Sequence, residues 1–128
     1  MTANAIQADE GACDPPLRFD LLCRRVMDDS EMALELLDAA VDRLDQDLTD
    51  MRHAVETREV KLAGDLAHRL KGTAANLSAE PLRHACSQLE SAATALQVES
   101  LGHYFSQIEL AAMRLRTVAK SLVATAKK

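Results

Sequence analysis

The side chains best placed to do chemistry gather around His68, in the stretch L-A-H-R-L-K-G-T-A-A-N-L-S at residues 66–78. A histidine near neutral pH offers a nitrogen lone pair that can attack an electrophile or take a proton. Lys71 follows at i+3 and Lys61 precedes at i−7, so a helix would carry both ammonium groups on the imidazole's face. In a chain of net charge −5, such a face favours an anion. The positions at i−4, i+4 and i+7 are Gly64, Gly72 and Ala75. Each interior glycine costs a helix about 1 kcal/mol relative to alanine. Here both glycines leave the imidazole standing clear, within reach of something as broad as another protein.

A second helix completes the site if the chain reverses at Ser78. At 1.5 Å per residue His68 lies about 15 Å from that turn and Glu90 about 18 Å, so the two meet across a helical hairpin. Glu90 borders the apolar stripe beside Leu89 and can lean toward His68. A carboxylate there accepts the Nδ1–H and leaves Nε2 as a free lone pair. Arg83 and Ser87, at i−7 and i−3 from Glu90, complete the rim. Arg69 sits at the edge of the buried stripe, as a bundle-edge charge or as part of a docking rim. Taken singly, each residue has a plainer explanation. A lone helical histidine, an exposed lysine and a helical glutamate are most often solvated, and helix glycines often serve close packing. The glycines here fall on the polar side, and it is the conjunction that points to function.

The other reactive groups form no such set. His53 and His103 lie in solvated stretches, and His84 and Cys86 are two apart, a spacing that does not share a helix face. No H-x-x-x-H pair occurs, so no metal site is expected. Cys13, Cys23 and Cys86 are odd in number and lack C-x-x-C spacing, which argues against a disulfide framework or zinc site; Cys86 falls on an apolar stripe as a small buried hydrophobe. There is no plausible Ser/His/Asp set and no glycine-rich phosphate loop.

The elements that position His68 follow from periodicity. Residues 1–16 are polar and end in Asp14-Pro15-Pro16, a mobile tail with a stiff stop, and the domain is expected over 17–126. A short helix at about 17–27 shows Leu17, Leu21, Leu22 and Val26. Asp29 or Ser30 caps the next helix, with Leu34, Leu37, Val41, Leu44, Leu48, Met51 and Val55 at alternating spacings of three and four. Thr57 or Arg58 begins the third helix, whose buried side is expected to be Leu62, Leu66, Leu70, Thr73 and Leu77. His68 points almost directly away from that stripe at 100° per residue. Ser78 breaks the run and can cap the fourth helix, where Pro81 falls in the tolerant first turn ahead of Leu82, Cys86, Leu89, Ala93 and Leu96. The last stripe is Leu101, Tyr104, Ile108, Ala111, Leu115, Val118 and Leu122. The fold class is therefore all-α: an antiparallel up-down-up-down four-helix bundle with a short additional N-terminal helix as a lid.

Composition agrees. Of 128 residues 48% are apolar, yet only one is Tyr, two are Phe and none is Trp, which suits a Leu/Val/Met/Ala helical core. The acidic balance argues against nucleic acid, no apolar run is long enough to span a membrane, and the N-terminus lacks a signal peptide's basic start and apolar run. A cytoplasmic, monomeric protein with reduced thiols is expected, and the starting Met1 with its polar tail points to a free-standing protein.

The run A-H-R-L-K-G-T-A-A-N-L-S-A-E-P-L-R-H-A-C-S-Q-L-E, residues 67–90, resembles the signature of histidine-containing phosphotransfer (HPt) domains. H-x-x-K-G alone is weak; with Leu82, Cys86, Leu89 and Glu90 in register it is specific, and the similarity in architecture extends over about 17–125. The resemblance implies a phosphorelay intermediate that takes a phosphoryl group from the aspartyl phosphate of one receiver domain and passes it to another. It implies His68 as the phosphoacceptor, Lys71 as the cation beside the phosphoryl group, Gly72 as the small residue that admits the receiver, and Glu90 as the partner of the imidazole. The chain is then a carrier and no enzyme, with no cofactor of its own. Mg²⁺ comes with the receiver, and a hybrid sensor histidine kinase is a further partner. The alternative is an HPt-like scaffold that binds and sequesters a receiver without transfer. One departure stands out: the family usually has glycine where this chain has Ser78, so the turn there needs another geometry or some strain.

Overall fold

The computed structural model describes residues 14–126. The expected tail over 1–16 thus lies mostly outside the described residues, as do Cys13 and Lys127-Lys128. Within these residues five helices follow one another: α1 Phe19–Arg25, α2 Ser30–Glu56, α3 Val60–Leu77, α4 Glu80–Thr94 and, after a single 3₁₀ turn at Val98–Ser100, α5 Leu101–Ala126. Each of α2 to α5 packs on its chain neighbours, α5 closes back on α2, and α1 lies over α2 and α3. This is the four-helix bundle that the periodicity predicts, with the short helix as an added element. Leu22, Leu37, Met51, Leu82, Leu89, Leu101, Ile108 and Leu115 are essentially inaccessible. Each such leucine contributes about 1.5–3 kcal/mol by burial.

The helix ends explain where the short connections fall. Asp29 caps α2, its side chain accepting the Met32 N–H at 3.0 Å. At the other end the Glu59 N–H bonds the Ala54 carbonyl and the Arg58 N–H that of Val55, with Arg58 left-handed at φ 60°. These are the paired bonds of a Schellman stop, so α3 begins at Val60 and not at Thr57 or Arg58. The same device ends α3. Ala79 N–H bonds Ala74 O at 2.9 Å, Ser78 N–H bonds Ala75 O at 3.1 Å, and Ser78 is left-handed at φ 61°, ψ 38°. Ser78 therefore closes α3 and does not cap α4, whose N-cap position is Ala79, with no side-chain cap. Of the two outcomes expected for serine here, strain is the one found. The Ser78 carbonyl also accepts the Arg18 N–H at 3.0 Å, tying the segment before α1 to this turn.

The buried face of α3 differs from the expected one. It is Ala63, Ala67, Leu70, Ala74 and Leu77; Leu66 and Thr73 are half-buried and Leu62 is 41% exposed. At 100° per residue this is a rotation of about 60° from the leucine-weighted stripe. The α3–α4 pair is the most extensive contact in the bundle, and alanine facing alanine is what allows two helix backbones to come that close. α4 contributes Ala85, Ala92 and Ala93 to the buried set. A smaller shift of the same kind occurs in α2, where Ala33 and Ala54 are buried while Leu34, Leu48 and Val55 are half-buried. In α5, Phe105 and Ala119 are buried, with Tyr104, Val118 and Leu122 packed at the margin.

Candidate functional site

Turning α3 onto its alanines leaves His68 facing outward but swings it toward α4. The imidazole side chain is 68% exposed. The hairpin turn at Ser78-Ala79 sets the register, and Glu90 on α4 arrives beside it: His68 Nδ1 lies 2.7 Å from Glu90 Oε2. The other oxygen of that carboxylate accepts from Lys71 Nζ at 2.6 Å. One carboxylate thus holds both side chains.

The electrostatics follow from this bridge. Lys71's ammonium, hydrogen-bonded to Glu90, is the main reason the Glu90 carboxyl lies below its ordinary range; partial burial opposes this and the His68 contact adds to it. Glu90 is therefore ionised at neutral pH and can only accept. The proton of a neutral His68 then resides on Nδ1, and Nε2 presents its lone pair outward. Beneath them burial pushes the Cys86 thiol up to about 12, with Lys71 and Glu90 close enough to act on it in opposite senses.

The remaining candidates separate. Gly72 is exposed, and a Cβ built there meets nothing within 4 Å, so the surface one turn beyond His68 is open. Gly64 is different: a Cβ there would stand 3.0 Å from that of Ala93. Its glycine serves helix packing against α4, the explanation that its place on the polar side of the sequence stripe argued against. Ala75 lies half-buried at one end of a groove shared with Arg18, Leu21, Arg25, Ser78 and Arg83, between α1 and the α3–α4 turn. Arg83 is tied to Glu80, with Nε to Oε1 at 2.7 Å. Ser87 lines another groove, with His84, Ser91 and Tyr104 toward α5. Arg69 lies on the opposite flank of α3, beside Arg43, Asp47 and Leu66 of the α2–α3 groove. Lys61 is paired with Asp65 at 3.2 Å and highly exposed.

Two features were not read from the sequence. The first is the Lys71–Glu90 ion pair; its sequence signal is that Lys71 follows His68 by three residues and so lies on the same hairpin seam. The second is a pair of partly exposed leucines, Leu62 on α3 and Leu36 on α2. Leu36 continues into a groove with Ala40, Arg43 and Thr73. Among the described residues no group of three His, Cys, Asp or Glu could hold a metal ion, and no helix is long and apolar enough to cross a membrane.

Comparison with known proteins adds to the geometry. The profile of a family described as the Hpt domain matches residues 22–122. A comparison with curated protein sequences found no match. Among solved structures, histidine-containing phosphotransfer protein B from Pseudomonas aeruginosa PAO1 superposes with a TM-score of 0.77 at 22% identity, over 84% of this chain and 93% of that one. The HPT domain of a sensor hybrid histidine kinase from Shewanella gives 0.75 at 20% identity, over 86% and 95%.

Proposed function

Because the chain belongs to the Hpt domain family, whose role is histidine phosphotransfer in phosphorelays, we propose that His68 is its phosphoacceptor, loaded from the aspartyl phosphate of one receiver domain and discharged to another. The observation that carries this is the imidazole itself, 68% exposed, with Nδ1 held 2.7 Å from Glu90 and open ground at Gly72. Nε2 attacks the phosphorus of the acyl phosphate. The N–P bond forms as the P–O bond to the receiver's aspartate breaks, and the aspartate leaves as a carboxylate. The imidazole gains positive charge in that step; the proton stays on Nδ1, donated to the Glu90 carboxylate, which stabilises the charge as it develops. Discharge runs the same steps in reverse on a second receiver.

Phosphoryl transfer passes through a loose transition state and depends on positioning and charge neutralisation more than on covalent help. Half a site therefore suffices here. The divalent cation comes with the receiver. Gly72 supplies open ground on which a receiver can seat, and a hybrid sensor kinase is the upstream source of phosphate. The two described cysteines are free thiols, in keeping with a cytoplasmic carrier that acts as a monomer.

The test is incubation with a panel of phosphorylated receiver domains. Label should move to this chain as an acid-labile, alkali-stable adduct, and His68→Gln should abolish it. Transfer that survives in the mutant would sink the assignment, and receiver binding without any exchange would point to a sequestering scaffold.

A further inference from the structure

The groove between α1 and the α3–α4 turn holds about 290 Å³ and is lined by three guanidinium groups, those of Arg18, Arg25 and Arg83, against two carboxylates, Asp14 and Glu80. Arg83 binds Glu80 at 2.7 Å. Arg18 reaches Asp20, which is not part of the lining, at 3.4 Å, and both of those side chains are solvated. Arg25 is exposed and makes no ion pair among the described residues. Arg18, Leu21 and Arg25 fall at i, i+3 and i+7, so one side of α1 presents both arginines to the groove. Their backbone is fixed: Leu22 is buried, and the Arg18 N–H bonds the Ser78 carbonyl at 3.0 Å. Ala75, on the opposite wall, lies at i+7 from His68, about 10 Å along the same face of α3. Elsewhere the sign of the charge reverses. The chain carries a net −5, and Glu31, Glu35, Asp38, Asp42 and Asp45 are all exposed along α2.

We infer that this groove selects among receivers by charge: it seats an acidic segment of the receiver that exchanges phosphate with His68, with Arg25 and Arg18 pairing that segment's carboxylates. The inference rests on His68 being the phosphoacceptor and adds which receivers the chain accepts. A partner broad enough to reach His68 over Gly72 covers ground well beyond it, since a stable interface takes about 800 Å² from each side. The groove mouth at Ala75 falls inside that footprint. Arginine suits such a place because its planar fork binds a carboxylate through two hydrogen bonds and is weakly hydrated. Arg25 has no internal partner to give up, and Arg18 gives up only a long, solvated one. The acidic face of α2 repels the same segment, so the field of the whole chain turns an acidic partner toward α1 before contact. A receiver with a basic group at the matching place, about 10–15 Å from its own acceptor aspartate by the rise along α3, meets like charge and is rejected.

The test titrates the full chain against a panel of unphosphorylated receiver domains and reads Kd and kon at low and high salt. The variants are Arg25→Ala, Arg25→Glu, Arg25→Lys and the double change Arg18→Glu with Arg25→Glu. Arg114→Glu, exposed on α5 and not part of the groove, alters net charge as much as Arg25→Glu and serves as the control. Circular dichroism checks that each is folded. The receiver that binds wild type most tightly should bind Arg25→Ala about 2- to 5-fold more weakly. Arg25→Glu should weaken it about tenfold or more, mainly through kon, and high salt should shrink the difference. Arg25→Lys and Arg114→Glu should stay within about twofold of wild type. Changing that receiver's surface carboxylates to lysine one at a time should find one change that restores binding to Arg25→Glu and weakens it to wild type. Equal weakening by Arg25→Glu and Arg114→Glu, or wild-type affinity in the double variant, would overturn the inference. Phosphate transfer measured in parallel separates it from the relay reading. Transfer with no dependence on the arginines keeps the relay and removes the groove, whereas arginine-dependent binding without transfer keeps the groove and removes the relay. A panel in which no receiver binds wild type removes both.

Discussion

Replacing Gly72 with alanine should make the protein more stable and a poorer partner. Gly72 lies inside α3, it is not in a left-handed conformation, and an added Cβ would meet nothing within 4 Å. Nothing in the fold therefore requires glycine, and alanine should recover the helix propensity it forgoes, about 1 kcal/mol. With an unfolding entropy of about 2.1 cal/mol/K per residue, a chain of this size should gain roughly 4 °C in Tm. Gly64→Ala gains the same propensity but forces a 3.0 Å contact with the Cβ of Ala93, across the most extensively packed helix pair in the bundle. It should give back most or all of the gain. Function should follow the reverse order. A side chain intruding on a packed contact costs about 1–3 kcal/mol, so Gly72→Leu should raise the Kd for a receiver roughly 5- to 150-fold while circular dichroism shows the helices intact. Urea unfolding and receiver titration of the three variants settle the matter. If Gly72→Ala is no more stable than wild type, the glycine has a structural reason that the open surface does not reveal. If Gly72→Leu binds and transfers normally, the receiver does not approach over this part of α3.

Ser78→Gly should stabilise the fold by up to about 1 kcal/mol, because Ser78 sits at φ 61°, ψ 38° and a non-glycine residue in the left-handed region carries a penalty of roughly that size. The check is a higher urea midpoint at unchanged m-value; a lower midpoint would refute the account of the turn. Cys86 should resist alkylation in the native state: with the thiol pushed up to about 12 by burial, it stays protonated at pH 8. Iodoacetamide followed by peptide mass spectrometry should find Cys86 unmodified in the folded protein and modified in urea. Labelling of the native protein at the rate of a free thiol would show that the seam beneath Glu90 opens.

Much of this protein is legible in its residues because the signals are local and periodic. Alternating spacings of three and four mark α2 and α5, Asp29 marks the start of α2, and the hairpin arithmetic that puts His68 opposite Glu90 needs only a rise per residue and the position of a turn. The two together yield a contact that the structure has at 2.7 Å. The helix ends were harder to read. Arg58, Ser78 and Leu96 all stop helices in the left-handed conformation that sequence rules assign to glycine, while Gly64, Gly72 and Gly102 lie within helices.

Composition, spacing and the chemistry of single side chains therefore determined the all-α bundle, the hairpin and the exposed imidazole with its carboxylate partner. Tertiary structure alone decided which face of α3 turns inward. Hydropathy weights leucine, but close approach of two helix backbones selects for small side chains, and so α3 packs on Ala63, Ala67 and Ala74 and leaves Leu62 partly exposed. That rotation separates the two glycines into a packing contact and an open surface. It also brings Lys71 into the seam, where Glu90 can hold it and His68 at once.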